Sequence, residues 1–233
     1  MIYVENKKRK IERIYKEYSI STIYDVTSTS PSDGKYLSPF YPHGGIPIPY
    51  TDRITAASVE SVWQGLKVFE NKDVDFCDFD NVTMKHIKRS VRVNGRLLGH
   101  RQGAYGTVLL NYFDARMQIY LPTYKWMLDN ISKAHKVIND IIESGKTRDI
   151  VLLDYNTNKD FRDISKPLSH AGLIKLYIEG NYPDVNDSYI PMSNEEINQK
   201  RLVEKVCRKK IRSKRNCVNQ GAPCLFDPAN SNY

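Results

Sequence analysis

Ser58-Val-Glu-Ser-Val-Trp-Gln-Gly-Leu-Lys-Val-Phe-Glu70 is the stretch on which the fold reading turns. Ser58 has the side chain of an N-cap, and the run after it repeats its apolar residues at helical spacing. Val59, Val62, Leu66 and Phe69 share one face, which must be buried. Glu60, Gln64 and Lys67 fall within ~60° of one another on a second face. A carboxylate, an amide and an amine therefore stack beside the apolar stripe. On spacing alone they form either a solvated face with an i,i+4 contact or one wall of a pocket.

Working outward, residues 27–53 (TSTSPSDGKYLSPFYPHGGIPIPYTDR) precede this helix and are dense in Ser, Pro and Gly. Proline blocks regular strand pairing there, so the segment is expected to be irregular or short-stranded. Its aromatic rings, Tyr36, Phe40, Tyr41 and Tyr50, are expected to bury against a core or over a ligand. Residues 2–18 read as a short basic helix or an extended arm, and 82–93 as helical or mixed. A long helix is expected over 107–121, interrupted at Pro122 and continuing through Trp126 and Leu128. Another is expected over 131–144, stopping at Gly145. Asp149-Ile-Val-Leu-Leu-Asp154 reads as a buried strand or the start of a turn, and 168–179 as helix. Ser193 with Glu196 forms an S-x-x-E capping box opening a basic helix. The expected class is mainly α (α+β with few short strands). The expected layout is a basic arm or helix over 1–26, one domain over 27–190, and a basic helical tail over 191–233.

The chain has 233 residues, with 35 Lys+Arg against 27 Asp+Glu and a net charge of +8. Residues 200–215 (KRLVEKVCRKKIRSKR) hold nine basic residues and one acid, which accounts for the whole excess. Arg208, Lys209, Lys210, Arg212, Lys214 and Arg215 are the candidate nucleic-acid contacts, acting through counterion release. A localisation signal, an acidic membrane surface or a merely solvated tail fits the same composition. No run reaches the ~18 apolar residues of a membrane span, and the first residues lack the apolar stretch of a signal peptide. The four cysteines (Cys77, Cys207, Cys217 and Cys224) make no disulfide framework in a chain of this size. A cytoplasmic location is expected, or a nuclear one in a eukaryotic host. Phosphate-loop, dinucleotide, zinc-protease and serine-hydrolase motifs do not occur, and the five histidines lack ligand spacing, so neither metal nor cofactor is expected.

Ser38-Pro-Phe-Tyr-Pro42, followed by Ser58-Val-Glu-Ser-Val-Trp-Gln-Gly-Leu-Lys67, resembles the NADAR or YbiA-like family. In that family a segment of the type S-N-F-Y-P precedes a helix of the type S-V-E-H-Y-F-Q-A-Q-K. Met84-Lys85 to Arg101 stands in the place of its basic segment, and Lys125-Trp126 in that of a basic-aromatic pair. Ile150 to Asp160 and Leu168 to Ile178 follow the order of its late segments, so the likeness covers roughly 36–180. The departures are Ser61 where the family has His, Asp154 where it has Glu, and Phe161 where it has Trp-Gly.

The resemblance implies a domain that cleaves N-glycosidic bonds of ribose phosphates, with ADP-ribose or riboflavin-pathway nucleotides as substrates. Such hydrolysis passes through an oxocarbenium-like sugar and needs a carboxylate near C1 and a donor for the leaving nitrogen. Glu60 takes the first role, with Asp154 or Asp160 second. Lys67 is a donor, a phosphate contact or an amine nucleophile. Gln64 would orient ribose hydroxyls; Phe40, Tyr41 and Trp63 would stack on base or sugar. Arg92, Arg96, Arg101 and Lys125 are the remaining substrate contacts. The expected function is thus an N-glycosidase acting on a ribosylated base, with nucleic acid as a candidate partner. The rival is a non-catalytic nucleic-acid-binding protein with the same fold.

Overall fold

The computed structural model describes residues 1–18, 21–184, 189–203 and 205. The chain divides into two compact units, Met1–Ile190 and Pro191–Tyr233. In chain order the first unit runs β1 (Ile2–Asn6), α1 (Ile11–Glu17), β2 (Ser21–Asp25) and a 3-10 turn (Asp33–Leu37). β3 (Ile46–Pro47), β4 (Thr55–Ala56), α2 (Val59–Gly65), β5 (Lys67–Phe69) and α3 (Phe76–Phe79) follow. Next come α4 (Val91–Asn94), β6 (Leu97–Arg101), β7 (Leu109–Leu110) and α5 (Tyr112–Ala115). A π-turn (Arg116–Tyr120), α6 (Leu121–Asn130), α7 (Ser132–Gly145), β8 (Asp149–Asp154) and α8 (His170–Ile178) complete it. This is an α+β domain, with more sheet than the sequence suggested.

The element that organises it is β8. Its apolar run fits a strand covered on both faces, and it is the middle strand of a parallel sheet ordered β1-β8-β2. Successive side chains alternate between two cores. Ile150 and Leu152 face the main core, while Val151 and Leu153 pack with Ile14 of α1 and with Tyr3, Tyr18 and Ile23. The first 26 residues are therefore no appended arm. Ile2 pairs with Ile150 and Thr22 also pairs with Ile150, so the amino-terminal segment supplies both flanking strands.

The main core lies on the other face, where α2, α6, α7 and α8 meet around Val62, Leu66, Tyr124, Ile138 and Leu173. Tyr124 is fully buried, and its hydroxyl donates to the Leu37 carbonyl at 2.7 Å, tying α6 to the Pro/Gly-rich segment.

Three helix expectations change. The stretch from Ser58 is helical only to Gly65, because the Asp75 N–H takes the Gly65 carbonyl (2.8 Å) and Phe79 packs where a Gly65 Cβ would lie. Lys67–Phe69 then pairs antiparallel with β6. Residues 107–110 are not helical: β7 occupies 109–110, and the helix begins after Asn111, whose side chain accepts the Asp114 N–H. Pro122 does not interrupt it. The π-turn places proline in the first turn of α6, where its missing N–H and fixed φ cost little. In 82–93 only Val91 onward is helical, and Met84 and His86 adopt positive φ (57° and 58°).

In the second unit the Ser193 N–H donates to Glu196 Oε2 (2.7 Å) and the Glu196 N–H to Ser193 Oγ (3.2 Å), a reciprocal capping box opening a helix over 194–203. Arg208, Lys209, Lys210, Arg212, Lys214, Arg215 and Cys207, Cys217 and Cys224 lie outside the described residues. Among the described residues no helix is long and apolar enough to cross a membrane.

Candidate active site

In open parallel sheets, ligands bind beyond the carboxyl ends of the strands, where loops diverge. A cleft of about 460 Å³ occupies that position here, with Thr27 just past β2 and Asp154 and Tyr155 at the end of β8. α2 forms one wall and the 38–40 segment another.

The two walls are joined at the start of α2. Ser58 caps the helix by accepting the Ser61 N–H (3.0 Å), and the Glu60 N–H donates to the Pro39 carbonyl (2.8 Å). Two of the helix's open N–H groups are thereby satisfied, and Phe40 is set opposite α2. Glu60, Gln64 and Lys67, the polar stripe of the sequence, all line the cleft and form a chain. Gln64 Nε2 donates to Glu60 Oε1 at 2.7 Å, and Lys67 Nζ donates to Gln64 Oε1 at 2.8 Å. Lys67 lies beyond the helix end, yet the turn at Gly65 keeps it in reach.

Glu60 is only 7% exposed. Burial pushes its carboxyl above the ordinary range, against the opposing pull of Gln64, Lys67, Lys88 and His170. Burial also pushes the Lys67 amine down; Glu60 opposes this, while Arg89 and Lys88 add to it. Burial thus makes the Glu60 carboxylate a stronger base and the Lys67 ammonium a stronger acid, the directions that general acid–base chemistry uses.

The floor is a different kind of carboxylate. Asp154 Oδ1 accepts the Tyr155 N–H (2.6 Å), and Oδ2 accepts the Ser169 hydroxyl (2.7 Å) and pairs with His170 Nδ1 (3.1 Å). Burial would raise this acid, but His170 and the hydrogen bonds outweigh it and hold it at about 2. The other ring nitrogen, Nε2, faces the Val26 carbonyl at 2.8 Å. An acceptor faces each nitrogen, an arrangement that favours the doubly protonated ring, and Asp154 raises His170 above its ordinary value despite burial. Asp154 is therefore a fixed anion with its lone pairs committed, set also at the start of α8.

Aromatic rings complete the walls. Trp63 packs on His100 at a tilt of 33° (3.9 Å between centroids) and meets Tyr112 and Tyr120 edge-on at 5.9 and 5.5 Å. His100 is 0% exposed, neither ring nitrogen has a hydrogen-bond partner, and burial pushes its pKa down to about 3. It serves as a neutral ring beneath Trp63. At the rim, Lys88 Nζ lies 5.3 Å over the Phe40 ring. Arg116 is 2% exposed and donates to the Phe161, Asp163 and Lys166 carbonyls and to the Tyr112 hydroxyl, bracing the loop that closes the far side.

Of the residues picked from sequence, Phe40, Glu60, Trp63, Gln64, Lys67 and Asp154 meet in this cleft. The others among the described residues do not line it. Asp160 turns into its own loop, accepting the Arg162 N–H (3.1 Å). Tyr41 packs edge-on against Tyr36 and beside His43 in a separate groove. Arg92 is exposed on α4, Arg96 pairs with Glu70, and Arg101 makes a two-point pair with Asp73. Lys125 pairs with Asp129 at 2.7 Å.

Lys88, Tyr112, Arg116, Tyr120 and His170 were not foreseen. His170 had one sequence signal, its place directly after Ser169 at the start of a helix. Arg116 and Tyr120 sit in a stretch read for Lys125-Trp126 instead. Among the described residues no three of His, Cys, Asp or Glu converge as ligands for a metal ion.

A family model described as "Family of unknown function (DUF6939)" matches residues 6–174. The chain belongs to this family. The DUF6939 span contains every described residue that lines the cleft and ends before the second unit begins. No curated protein and no solved structure matches the chain.

Proposed function

We propose that this DUF6939 protein is a hydrolase that cleaves the N-glycosidic bond of a ribosylated base, on an ADP-ribose-type or nucleotide substrate. One observation carries the reading: the buried Glu60 carboxyl, linked through Gln64 to Lys67, faces a cleft walled by Phe40 and Trp63. The residues that carry the NADAR resemblance are these same ones.

In this reading the base stacks on the aromatic walls and C1 of the ribose lies at Glu60. As the C1–N bond lengthens, the carboxylate faces the developing positive charge and takes a proton from the attacking water. The water oxygen bonds to C1, and the departing nitrogen is protonated by the Lys67 ammonium. Both groups have pKa values moved toward neutrality by the same burial, which suits them to these transfers. Gln64 spans the two and keeps them apart by a fixed distance.

Charge supports an anionic substrate. Among the described residues, Lys67, Lys88, Arg116 and His170 face two carboxylates, Glu60 and Asp154, around the cleft. Arg116 directs its donors at neutral oxygens, so its charge is left for a ligand. Asp154 acts through His170, which it holds charged, rather than on the sugar. The basic 200–215 segment fits an accessory role in bringing the domain to nucleic acid.

The test is a mass-spectrometric screen for released base or ribosyl product from nucleotides, free ADP-ribose and ADP-ribosylated DNA. The proposal expects release from at least one of these. Binding to nucleic acid without any release would favour the non-catalytic rival.

A further inference from the structure

Gln64 holds a split orientation, its N–H toward Glu60 and its oxygen toward Lys67, and the acceptor on one side and the donor on the other set which way the amide points. A further donor comes from outside α2. The main-chain N–H of Arg89 donates to Gln64 Oε1 at 3.2 Å, as a second donor beside Lys67. The Arg89 side chain then returns to the same junction. Nη1 donates to the Lys67 carbonyl (2.6 Å) and the Gln64 carbonyl (3.3 Å), and Nη2 to the carbonyls of Asp73 (2.8 Å) and Lys72 (3.5 Å). The guanidinium also lies 4.9 Å over the Phe69 ring, the next inward residue of β5. Only a planar fork with several donors reaches all these points at once.

The neighbour of this residue lies at the mouth of the cleft. Lys88 extends over Phe40, and Ile87 on its other side is buried. Residues 82–90 have no regular secondary structure, and Met84 and His86 sit at positive φ. Tethering therefore falls to Ile87 and Arg89.

We propose that Arg89 is the positioning residue of this cleft: its bonds to Gln64 and to the Gln64–Lys67 backbone fix both side chains and hold Lys88 across the cleft mouth. What the positioned groups do chemically rests on the glycosidase reading; that Arg89 positions them does not.

The test reads Lys67 directly and needs no substrate. Lys67 faces Glu60 on α2, Asp78 on α3, Lys88 and Arg89 on the 82–90 segment, and His100 on β6. Acylation of the full-length chain by acetic anhydride over a pH series, mapped by mass spectrometry, gives the pH midpoint of Lys67. The exposed Lys136 serves as internal reference. In Arg89→Met the midpoint should rise by about half a unit or more, since a neighbouring cation is removed and water gains access. Arg89→Lys keeps the charge without the fork and should show a smaller rise in the same direction. The reference should stay where it is.

A Lys67 midpoint unchanged in the folded variants would overturn the proposal. If Arg89→Met does not fold, Arg89→Lys decides; if neither folds, Arg89 serves the fold alone and the proposal is wrong. A midpoint shift combined with a wild-type chain that hydrolyses nothing would remove the glycosidase reading and leave the role of Arg89. Hydrolysis without a shift would do the reverse.

Discussion

Two carboxylates in one cleft are tuned in opposite directions by what surrounds them. Glu60 meets one amide N–H and is raised by burial; Asp154 meets three donors, from Tyr155, Ser169 and Ala171, besides the His170 ring, and is lowered to about 2. The sequence alone does not separate them, because both are acids beside apolar runs and their neighbours arrive from distant segments. His170→Gln tests the floor. Breaking a buried charged pair costs about 3–5 kcal/mol. His170 is raised in the folded state, so its contribution is full below its ordinary value of 6.5 and fades as pH rises through the folded value. Asp154 is depressed, so its contribution is present above its ordinary 3.8 and is lost as pH falls toward 2. The stability gap between wild type and His170→Gln, from urea unfolding, should be widest between about pH 4 and 6.5 and should narrow above that. A gap that goes on widening above pH 6.5 would refute the ion pair.

At the scale of elements, α2 was legible because cap, apolar face and polar stripe agree, and the structure keeps all three. Its end was not, because Gly65 stops the helix through a contact with α3, eleven or more residues on. A Cβ on Gly65 would lie 2.3 Å from Phe79 Cε1, and Phe79 is buried. Gly65→Ala should cost about 1–3 kcal/mol of stability in chemical denaturation, although alanine favours helix. Equal or greater stability would mean the α2–α3 contact is loose. Pro122 misleads for a similar reason: only the preceding π-turn makes it a first-turn residue. The 82–90 segment carries many cations in sequence, and only the fold shows that Lys88 and Arg89 serve the cleft while Arg92 stays outside.

Across the whole molecule, the least legible feature is the parallel sheet. β8 pairs with β1 and β2 across more than 120 residues, and no local pattern reports such partners. Once they pair, the cleft position follows, since the ends of β2 and β8 bring Thr27, Asp154 and His170 beside the α2 stripe. The net charge of +8 belongs to 200–215 and stands apart from this domain in sequence. A chain ending at Ile190 should keep hydrolysis of small substrates while its nucleic-acid affinity falls. Its binding should also show a shallower salt dependence, by about 0.9 for each duplex-DNA phosphate that the tail no longer neutralises. Loss of hydrolysis on truncation would show that the second unit is needed for the chemistry.

The central claim, that Glu60 performs the hydrolysis, is tested most directly by the turnover ratio of wild type to Glu60→Gln on whichever substrate releases base. Glutamine preserves size and can still accept from Gln64, so melting temperature should stay within about 2–4 °C. The account predicts a fall in turnover of about 10²–10⁴-fold with substrate binding retained. A Glu60→Gln protein that is folded and turns over within a few-fold of wild type would contradict it.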